Sequence, residues 1–569
     1  MKRLFLFSLL TSGILLASEA KQIHIVSTTD LHGYLQAKKT DANLDIGGVD
    51  TMLGFFNIAK QADPETLFLD SGDTFQGTII SNSSDGAPVV RWMDHVGYLA
   101  AAIGNHEFDF GPGNGFISVQ KPGQDPVGAL KARVAQAKFK FLAANICEPA
   151  HDPAQCKNPE NFQPASFTKS YLLKTIHGIK LGIIGLSTLE TPDKTLSSNV
   201  THLKFMPLAK TVERFASELR KQGVKYIVVI IHDGEAAIKK MLDQLSPETR
   251  AMIPVILGGH THEHANTTHK GVQILITGNY GEAFGYTTLE LDKKLKTKSS
   301  QTIYFCHQVF SSTQSCIDGS GAIQPAQFLG KIVKPDSSAS GILKEDIAKA
   351  EAVSSKVVGR LASSLFRTET SGESSLGNFM ADAFRMCKDS ACKEHADIAF
   401  LNNGAIRSAS IKAGPVNYGQ IFEVMPFDNV HVELMLSGKQ IHDLLTLWYY
   451  HREDIRNPQM SGLQVTYLLN PKKPRVLHNE TGESKVLLDP IKSIQFSNGN
   501  VFEESKTYRV VLNNFLASGG GGTAFILNSL KPKPKFFYSR KLRDQLVDYF
   551  ALKPSGWDYG KVRQRVYYH

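Results

Sequence analysis

Val224-Lys-Tyr-Ile-Val-Val-Ile-Ile231 carries a single charge, at Lys225, and runs directly into His232-Asp233. A short, unbroken apolar run rich in β-branched residues predicts a buried strand, and a strand of this kind hands its polar residues to the loop that follows. Four other stretches follow the same plan. Lys21-Gln-Ile-His-Ile-Val-Ser-Thr-Thr29 alternates as a strand and delivers Asp30-Leu31-His32. Thr66-Leu-Phe-Leu69 ends in Asp70-Ser71-Gly72-Asp73, where the glycine permits the tight turn that aims Asp73 back toward the same place. Leu99-Ala-Ala-Ala-Ile103 leads into Gly104-Asn105-His106-Glu107-Phe108-Asp109, and Ile253-Pro-Val-Ile-Leu257 into Gly258-Gly259-His260-Thr261-His262. Helical patterns such as residues 212–222 lie between strands. The expected fold class is therefore α/β layers, with the loops at strand ends building one rim.

The chemistry of that rim is set by its side chains. Asp30, His32, Asp73, Asn105, His232, His260 and His262 offer two carboxylates, one amide and four imidazoles, with His106 and Asp109 left over. Mixed nitrogen and oxygen donors suit borderline divalent ions, zinc or manganese first, with cobalt, magnesium or calcium as further candidates. Seven ligands exceed one tetrahedral ion, and a carboxylate can bridge, so two divalent metal ions a few ångströms apart are expected. Glu107 reads as a local structural acceptor.

At 569 residues the chain exceeds a single core and fits two or three domains. Its 42% hydrophobic and 21% charged content is that of a globular protein. Lys2-Arg3, the apolar residues 4–16 and Ser18-Glu19-Ala20 form the charged, apolar and small-residue regions of a secretory signal peptide, so export to the periplasm or cell surface is expected. No later run is long enough to span a membrane. The six cysteines fall in neighbouring pairs, Cys147 with Cys156, Cys306 with Cys316 and Cys387 with Cys392, which suggests three small disulfide loops. The net charge of +9 comes without a concentrated basic and aromatic stripe, so nucleic acid is not an expected partner.

The ordered series DLHG, DSGDTFQGT, GNHEFDFG, HDG and GGHTHE resembles the metallophosphoesterase domain of secreted 5′-nucleotidases and their relatives, the periplasmic UDP-sugar hydrolases and 2′,3′-cyclic-nucleotide phosphodiesterases. The resemblance covers nearly the whole mature chain. It implies a calcineurin-like β-sandwich flanked by helices, joined by a helix to a smaller α/β substrate-binding domain. It also implies one metal on Asp30, His32, Asp73 and His262, a second on Asp73, Asn105, His232 and His260, and a catalytic pair in His106 and Asp109.

The composition shifts between residues 324 and 359. Pro335-Asp-Ser-Ser-Ala-Ser-Gly341 is loop-like and residues 342–353 read as an amphipathic connecting helix. The expected division is 1–20 signal peptide, 21–330 phosphoesterase domain, 331–358 linker and 359–569 substrate-binding domain. In the last, a helix over residues 379–385 precedes a strand, Asp397-Ile-Ala-Phe-Leu401, that ends in Asn402-Asn403-Gly404-Ala405-Ile406-Arg407. Met425-Pro426-Phe427-Asp428-Asn429 and Asn513-Asn514-Phe515-Leu-Ala-Ser518 each place a Phe in a polar loop. These stretches resemble the family motifs NGGxIR, PFxN and NFxAxGG. The resemblance implies that Asn402 and Arg407 contact substrate and that Phe427 and Phe515 clamp a base.

Three positions depart from the family pattern. Thr370 stands where an Arg is expected, with Arg367 as its replacement. Gly521 stands where an Asp would grip both ribose hydroxyls, and Tyr34 stands where some relatives carry Arg. The expected activity is release of phosphate from nucleotides, a small-molecule substrate. A 2′,3′-cyclic-nucleotide phosphodiesterase with 3′-nucleotidase activity is the alternative in the same chemistry, and a non-catalytic nucleotide-binding surface protein the alternative in another class. Whether the chain is a monomer or dimer is left open.

Overall fold

A computed structural model describes residues 21–149, 156–291, 294–367, 373–386, 395–451, 458–479, 481–528, 530, 534–559 and 564–569. The expected signal peptide and the Cys387 and Cys392 pair lie outside them.

The first half is two six-stranded sheets. One runs in the order Leu295–Tyr304, Ala283–Leu291, Lys21–Thr28, Leu67–Asp70, Ala100–Ala102, Lys140–Leu142. The other runs His264–His269, Val272–Thr277, Val255–Leu257, Tyr226–His232, Ile179–Ser187, Tyr171–Ile176. Their inner faces share one core, in which Ile23, Ile25, Leu67 and Leu69 meet Leu181, Ile183, Val228 and Ile230. The alternate side chains of the same strands point outward. Val26 and Phe68 pack under helix Val49–Ala62, while Ile227, Val229 and Ile231 pack under helices Leu208–Lys221 and Glu235–Gln244. Both faces of Tyr226–His232 are therefore dry, which is why its sequence shows no alternation.

Lys21–Thr28, Leu67–Asp70, Ala100–Ala102 and Lys140–Leu142 are mutually parallel neighbours, as are Ile179–Ser187, Tyr226–His232, Val255–Leu257 and Val272–Thr277. Their carboxyl ends lie along one edge of the sandwich, where open α/β sheets place ligands.

The second half holds a five-stranded sheet, in the order Gln459–Ser461, Ile398–Leu401, Thr507–Asn513, Val430–Ser437, Lys535–Lys541. Period-two alternation divides it between two cores: Ile398 and Phe400 face Trp448, and Ala399 and Leu401 face Phe379 and Phe550.

Several local expectations change. The loop expected at residues 335–341 contains the helical turn Ser338–Gly341, and the connecting helix is Lys344–Ser354. Leu343 at its cap, Ile347 and Ala350 pack it on the core of the first half as a narrow apolar stripe, with its charged residues on the other side. The helix expected over residues 379–385 begins earlier, at Ser375, because the Ser374 hydroxyl caps it by accepting from Gly377 N–H. Phe515 lies in the turn Asn514–Ala517 rather than in a loop, with Asn513 as its cap. Disulfides join Cys147 to Cys156 and Cys306 to Cys316, as the pairing by neighbours suggested.

Candidate active site

Five strand ends converge as expected, and the backbone there is bent hard. Of the thirteen described non-glycine residues with positive φ, five are Asp30, His32, Asp73, His260 and His262. Left-handed backbone at such residues costs free energy and persists only where the surroundings over-determine it. Two glycines allow the loops to close in. A Cβ on Gly104 would stand 2.1 Å from Asp73 Oδ1, and one on Gly259 would stand 2.1 Å from Thr29 Oγ1. Glu107 locks the centre, as the structural acceptor it reads as: it accepts from the backbone N–H of Asp73 at 2.9 Å, Thr74 at 2.6 Å and Gly104 at 2.7 Å.

Two three-residue groups result, Asp30 with His32 and His262, and Asp73 with His232 and His260. Within each, one ligand atom per residue lies within 4.8 Å of the others. Asp73 also links the groups: its Oδ2 is 2.9 Å from His232 Nε2 and 3.9 Å from His32 Nε2. His32 Nδ1–H donates to Gln76 O at 2.7 Å and His232 Nδ1–H to Ser71 O at 2.8 Å, so each turns Nε2 toward the carboxylates. His32 Nε2 and His262 Nε2 face one another at 3.1 Å.

Charge and burial complete the case for cations. Burial opposes ionisation of Asp30, yet its bond from His262 and the nearby imidazoles hold its pKa at about 2. Asp73, pressed by burial and relieved chiefly by His232, likewise stays well below the usual range. Burial pushes His32 down, and burial with neighbouring His232 pushes His260 down to about 4. At His232 the balance is reversed: burial opposes its charge, but Asp73 outweighs burial and raises its pKa to about 10, so its Nε2 gives up a proton when a cation takes its place. The neutral imidazoles of His32 and His260 and the ionised carboxylates are ready donors for divalent ions. Asn105 Oδ1 is buried beside them with no hydrogen-bond donor among the described residues, an orphaned oxygen of the sort a cation satisfies. The residues present therefore fit a pair of divalent ions.

His106 and Asp109 stand at the edge of these groups, with His106 Nδ1 2.5 Å from Asp109 Oδ2 and His106 Nε2 4.0 Å from Asp73 Oδ2. Burial opposes charge on His106, but Asp109 and Asp73 outweigh it and raise its pKa.

The second half closes over this edge. A cavity of about 870 Å³ is lined by Asp73, Asn105, His106, His260 and His262 from the first half and by Arg367, Asn402, Arg407, Phe427 and Phe515 from the second. Arg407 Nη2 lies 2.9 Å from His106 Nε2, and its guanidinium stands 5.0 Å over the Phe427 ring. Phe427 in turn packs on His106, ring centroids 5.5 Å apart. Asn402 Oδ1 accepts from Asn513 at 2.8 Å, tying the Arg407 loop to the Phe515 turn. Arg367 lines the cavity, while Thr370 lies outside the described residues. Gly521 has φ of 64° in a left-handed turn.

Sequence reasoning missed Glu190, Lys194 and Thr195, which line the same cavity. The available signal was the strand end after Ile179–Ser187, a sixth one on the rim. It also missed Arg543, buried at the start of helix Leu542–Ala551, which donates to Met425 O at 2.8 Å and Phe427 O at 3.2 Å and pairs with Asp428.

A helix-flanked double sheet with a carboxylate and imidazole rim, covered by a second α/β domain, defines the metallophosphoesterase class. Residues 352–527 match the family model of the 5′-nucleotidase C-terminal domain. That stretch of the second half is thus a 5′-nucleotidase C-terminal domain by its match, and the chain as a whole is similar to 5′-nucleotidases. The 5′-nucleotidase of Homo sapiens is 25% identical over 552 residues, 90% of this chain and 86% of that one. Endonuclease YhcR of Bacillus subtilis (strain 168) is 26% identical over 517 residues, 88% of this chain and 37% of that protein, so the chain spans little more than a third of this relative. In fold, the chain superposes on the 5′-nucleotidase precursor from Thermus thermophilus with a TM-score of 0.74, at 24% identity, covering 96% of this chain and 99% of that one. Among the described residues no helix is long and apolar enough to cross a membrane.

Proposed function

We propose that this chain hydrolyses nucleotides of the 5′-nucleotidase type to nucleoside and phosphate. The observation that carries this reading is the meeting of Arg407 and Phe427 with His106 on a cavity that both ligand groups also line. Asp30, His32, Asp73 and His262 would hold one divalent ion and Asp73, Asn105, His232 and His260 the other; when bound, such a pair would polarise phosphoryl oxygens and lower the pKa of water.

The chain's own groups do the rest. Asp109 orients His106, whose imidazole faces the phosphoryl group and stabilises its developing negative charge or supplies a proton to the leaving alkoxide. Arg407 offers a planar fork to phosphate oxygens. Asn402 and Arg367 hold the remaining polar edges, and Phe427 with Phe515 offers aromatic faces to a base. In this reading residues 21–330 are the phosphoesterase domain, 331–358 the linker and 359–569 the substrate-binding domain. Export is part of this reading, supported by the sequence of residues 1–20 and by two disulfides, which persist in oxidising compartments.

The test is a substrate panel of AMP, ATP, UDP-glucose, 3′-AMP and 2′,3′-cyclic AMP on the mature protein. AMP is the expected best substrate, with release abolished by chelator and restored by zinc or manganese. The absence of a side chain at Gly521 favours one second reading, a 2′,3′-cyclic-nucleotide phosphodiesterase, since its substrate has no free diol to grip; cyclic AMP and 3′-AMP would then lead the panel. Nucleotide binding without phosphate release under any metal would leave only a binding protein.

A further inference from the structure

We infer that the segment after strand Ile179–Ser187 carries two positioning residues of this site, Glu190 acting on His260 and Thr195 acting on Asp109. The inference rests on the phosphoesterase reading above and adds to it an element on which the expected motifs are silent.

Three contacts place the segment. Glu190 Oε2 lies 3.2 Å from His260 Nε2. Thr195 Oγ1 donates to Asp109 Oδ1 at 2.7 Å. Between them, the carbonyl of Lys194 lies 3.5 Å from Asn105 Nδ2, on the side away from the orphaned Oδ1. The segment is braced at its far end, where Asn199 donates to Phe108 O at 3.0 Å and Ile117 O at 2.8 Å, and where Ser197 Oγ donates to Ser518 O at 2.7 Å in the second half.

Each contact has a chemical consequence. A neutral imidazole carries one N–H and one lone pair, so a carboxylate that accepts from Nε2–H leaves the lone pair on Nδ1. His260 is thereby set opposite to His32 and His232, whose Nδ1–H bonds to backbone carbonyls leave Nε2 as donor atom. A carboxylate behind a ligating imidazole fixes its orientation and raises its basicity. At Asp109 the two oxygens are divided, Oδ1 accepting from Thr195 and Oδ2 facing His106 at 2.5 Å. The carboxylate cannot rotate without breaking both bonds, so the hydroxyl of Thr195, a residue only 2% exposed, sets the plane in which His106 is held.

Four variants of the full mature chain test this. Thr195→Val keeps the side-chain volume and loses the hydroxyl; kcat is expected to fall about 10–100-fold with KM for AMP little changed. Thr195→Ser, which keeps the hydroxyl, should recover most of that loss. For Glu190, zinc is titrated calorimetrically into chelator-stripped protein. Glu190→Ala should weaken one of two binding steps by about 10–100-fold, and Glu190→Gln, whose amide oxygen still accepts, should retain most of the affinity. Thr195→Val with unchanged kcat, Ser no better than Val, or a Glu190→Ala isotherm superimposable on the parent would overturn the inference alone. A parent protein that takes up no zinc would overturn the phosphoesterase reading and this inference with it.

Discussion

Arg407 Nη2 rests 2.9 Å from His106 Nε2 across 301 residues of sequence. A guanidinium only donates, so in this contact Nε2 accepts and the imidazole proton sits on Nδ1, toward Asp109. Nε2 takes up the proton it would give to a leaving alkoxide only when Arg407 turns to the phosphate, an uptake that Asp109 and Asp73 favour. The same guanidinium lies over Phe427. Position, stacking and a planar fork are thus combined in one side chain, and lysine reproduces only the charge. Arg407→Ala is expected to lower kcat/KM for AMP by about 10²–10³-fold, with Arg407→Lys recovering a minor part. Steady-state kinetics that show lysine equal to arginine would remove the fork from the argument.

His106 bonds none of the described ligand groups through a ring nitrogen closer than 4.0 Å from Asp73. Removing its ring should therefore spare metal uptake while turnover drops about 10²–10⁴-fold, the range for a positioned acid or base. Elemental analysis of His106→Ala beside its kcat checks both halves. A variant that turns over normally removes His106 from the chemistry.

Asp30 and Asp73 are fully buried carboxylates held ionised. A cation that binds only the folded state stabilises it by about 2.7 kcal/mol per site at 100 times Kd. Chelation should lower Tm by several degrees and add-back of zinc or manganese should restore it. An unchanged melting curve after verified metal removal would falsify the paired-ion assignment.

Glu107 receives Asp73 and Gly104 N–H on Oε2 and Thr74 N–H with its hydroxyl on Oε1. Glu107→Gln puts an N–H₂ group against two backbone N–H donors in a buried position. Each buried donor left without an acceptor costs about 1–3 kcal/mol, so denaturant unfolding should show a loss of about 2–5 kcal/mol. Full retention of stability would mean that the Asp73 turn is held elsewhere.

Phe427 and Phe515 line one cavity, and stacking on a base is worth about 1–3 kcal/mol per ring. Phe427→Ala should raise KM for AMP roughly 5–150-fold on that scale and change KM for a small aryl phosphate far less. Arg543→Met, which frees the carbonyls of Met425 and Phe427 from their shared donor, should act in the same direction. Equal effects on both substrates would count against base stacking.

The strands that build the rim were legible because strands dry on both faces leave unbroken apolar runs, and those runs stop where a ligand begins: Ile231 before His232, Leu257 before the Gly258 turn. Glu190 and Thr195 escaped notice for the converse reason. Ser187-Thr-Leu-Glu190 holds no imidazole and no paired glycine, and its value comes only from lying across from His260, 70 residues later. The Phe515 turn was hidden because Asn513 looks like a loop residue until its side chain is seen accepting from Leu516 N–H at 2.9 Å. Arg543 was invisible because its partners lie more than a hundred residues away.

The left-handed backbone at Asp30, His32, Asp73, His260 and His262 makes these corners intolerant of exchange. A β-branched replacement at any of them meets a steric penalty that is absent on the neighbouring strands, so saturation mutagenesis should find valine and isoleucine purged there even from libraries selected for folding rather than turnover. The same corners are where a metal-stripped chain relaxes first, and amide exchange should quicken around residues 30–33, 72–74 and 260–262 while the sandwich beneath stays protected.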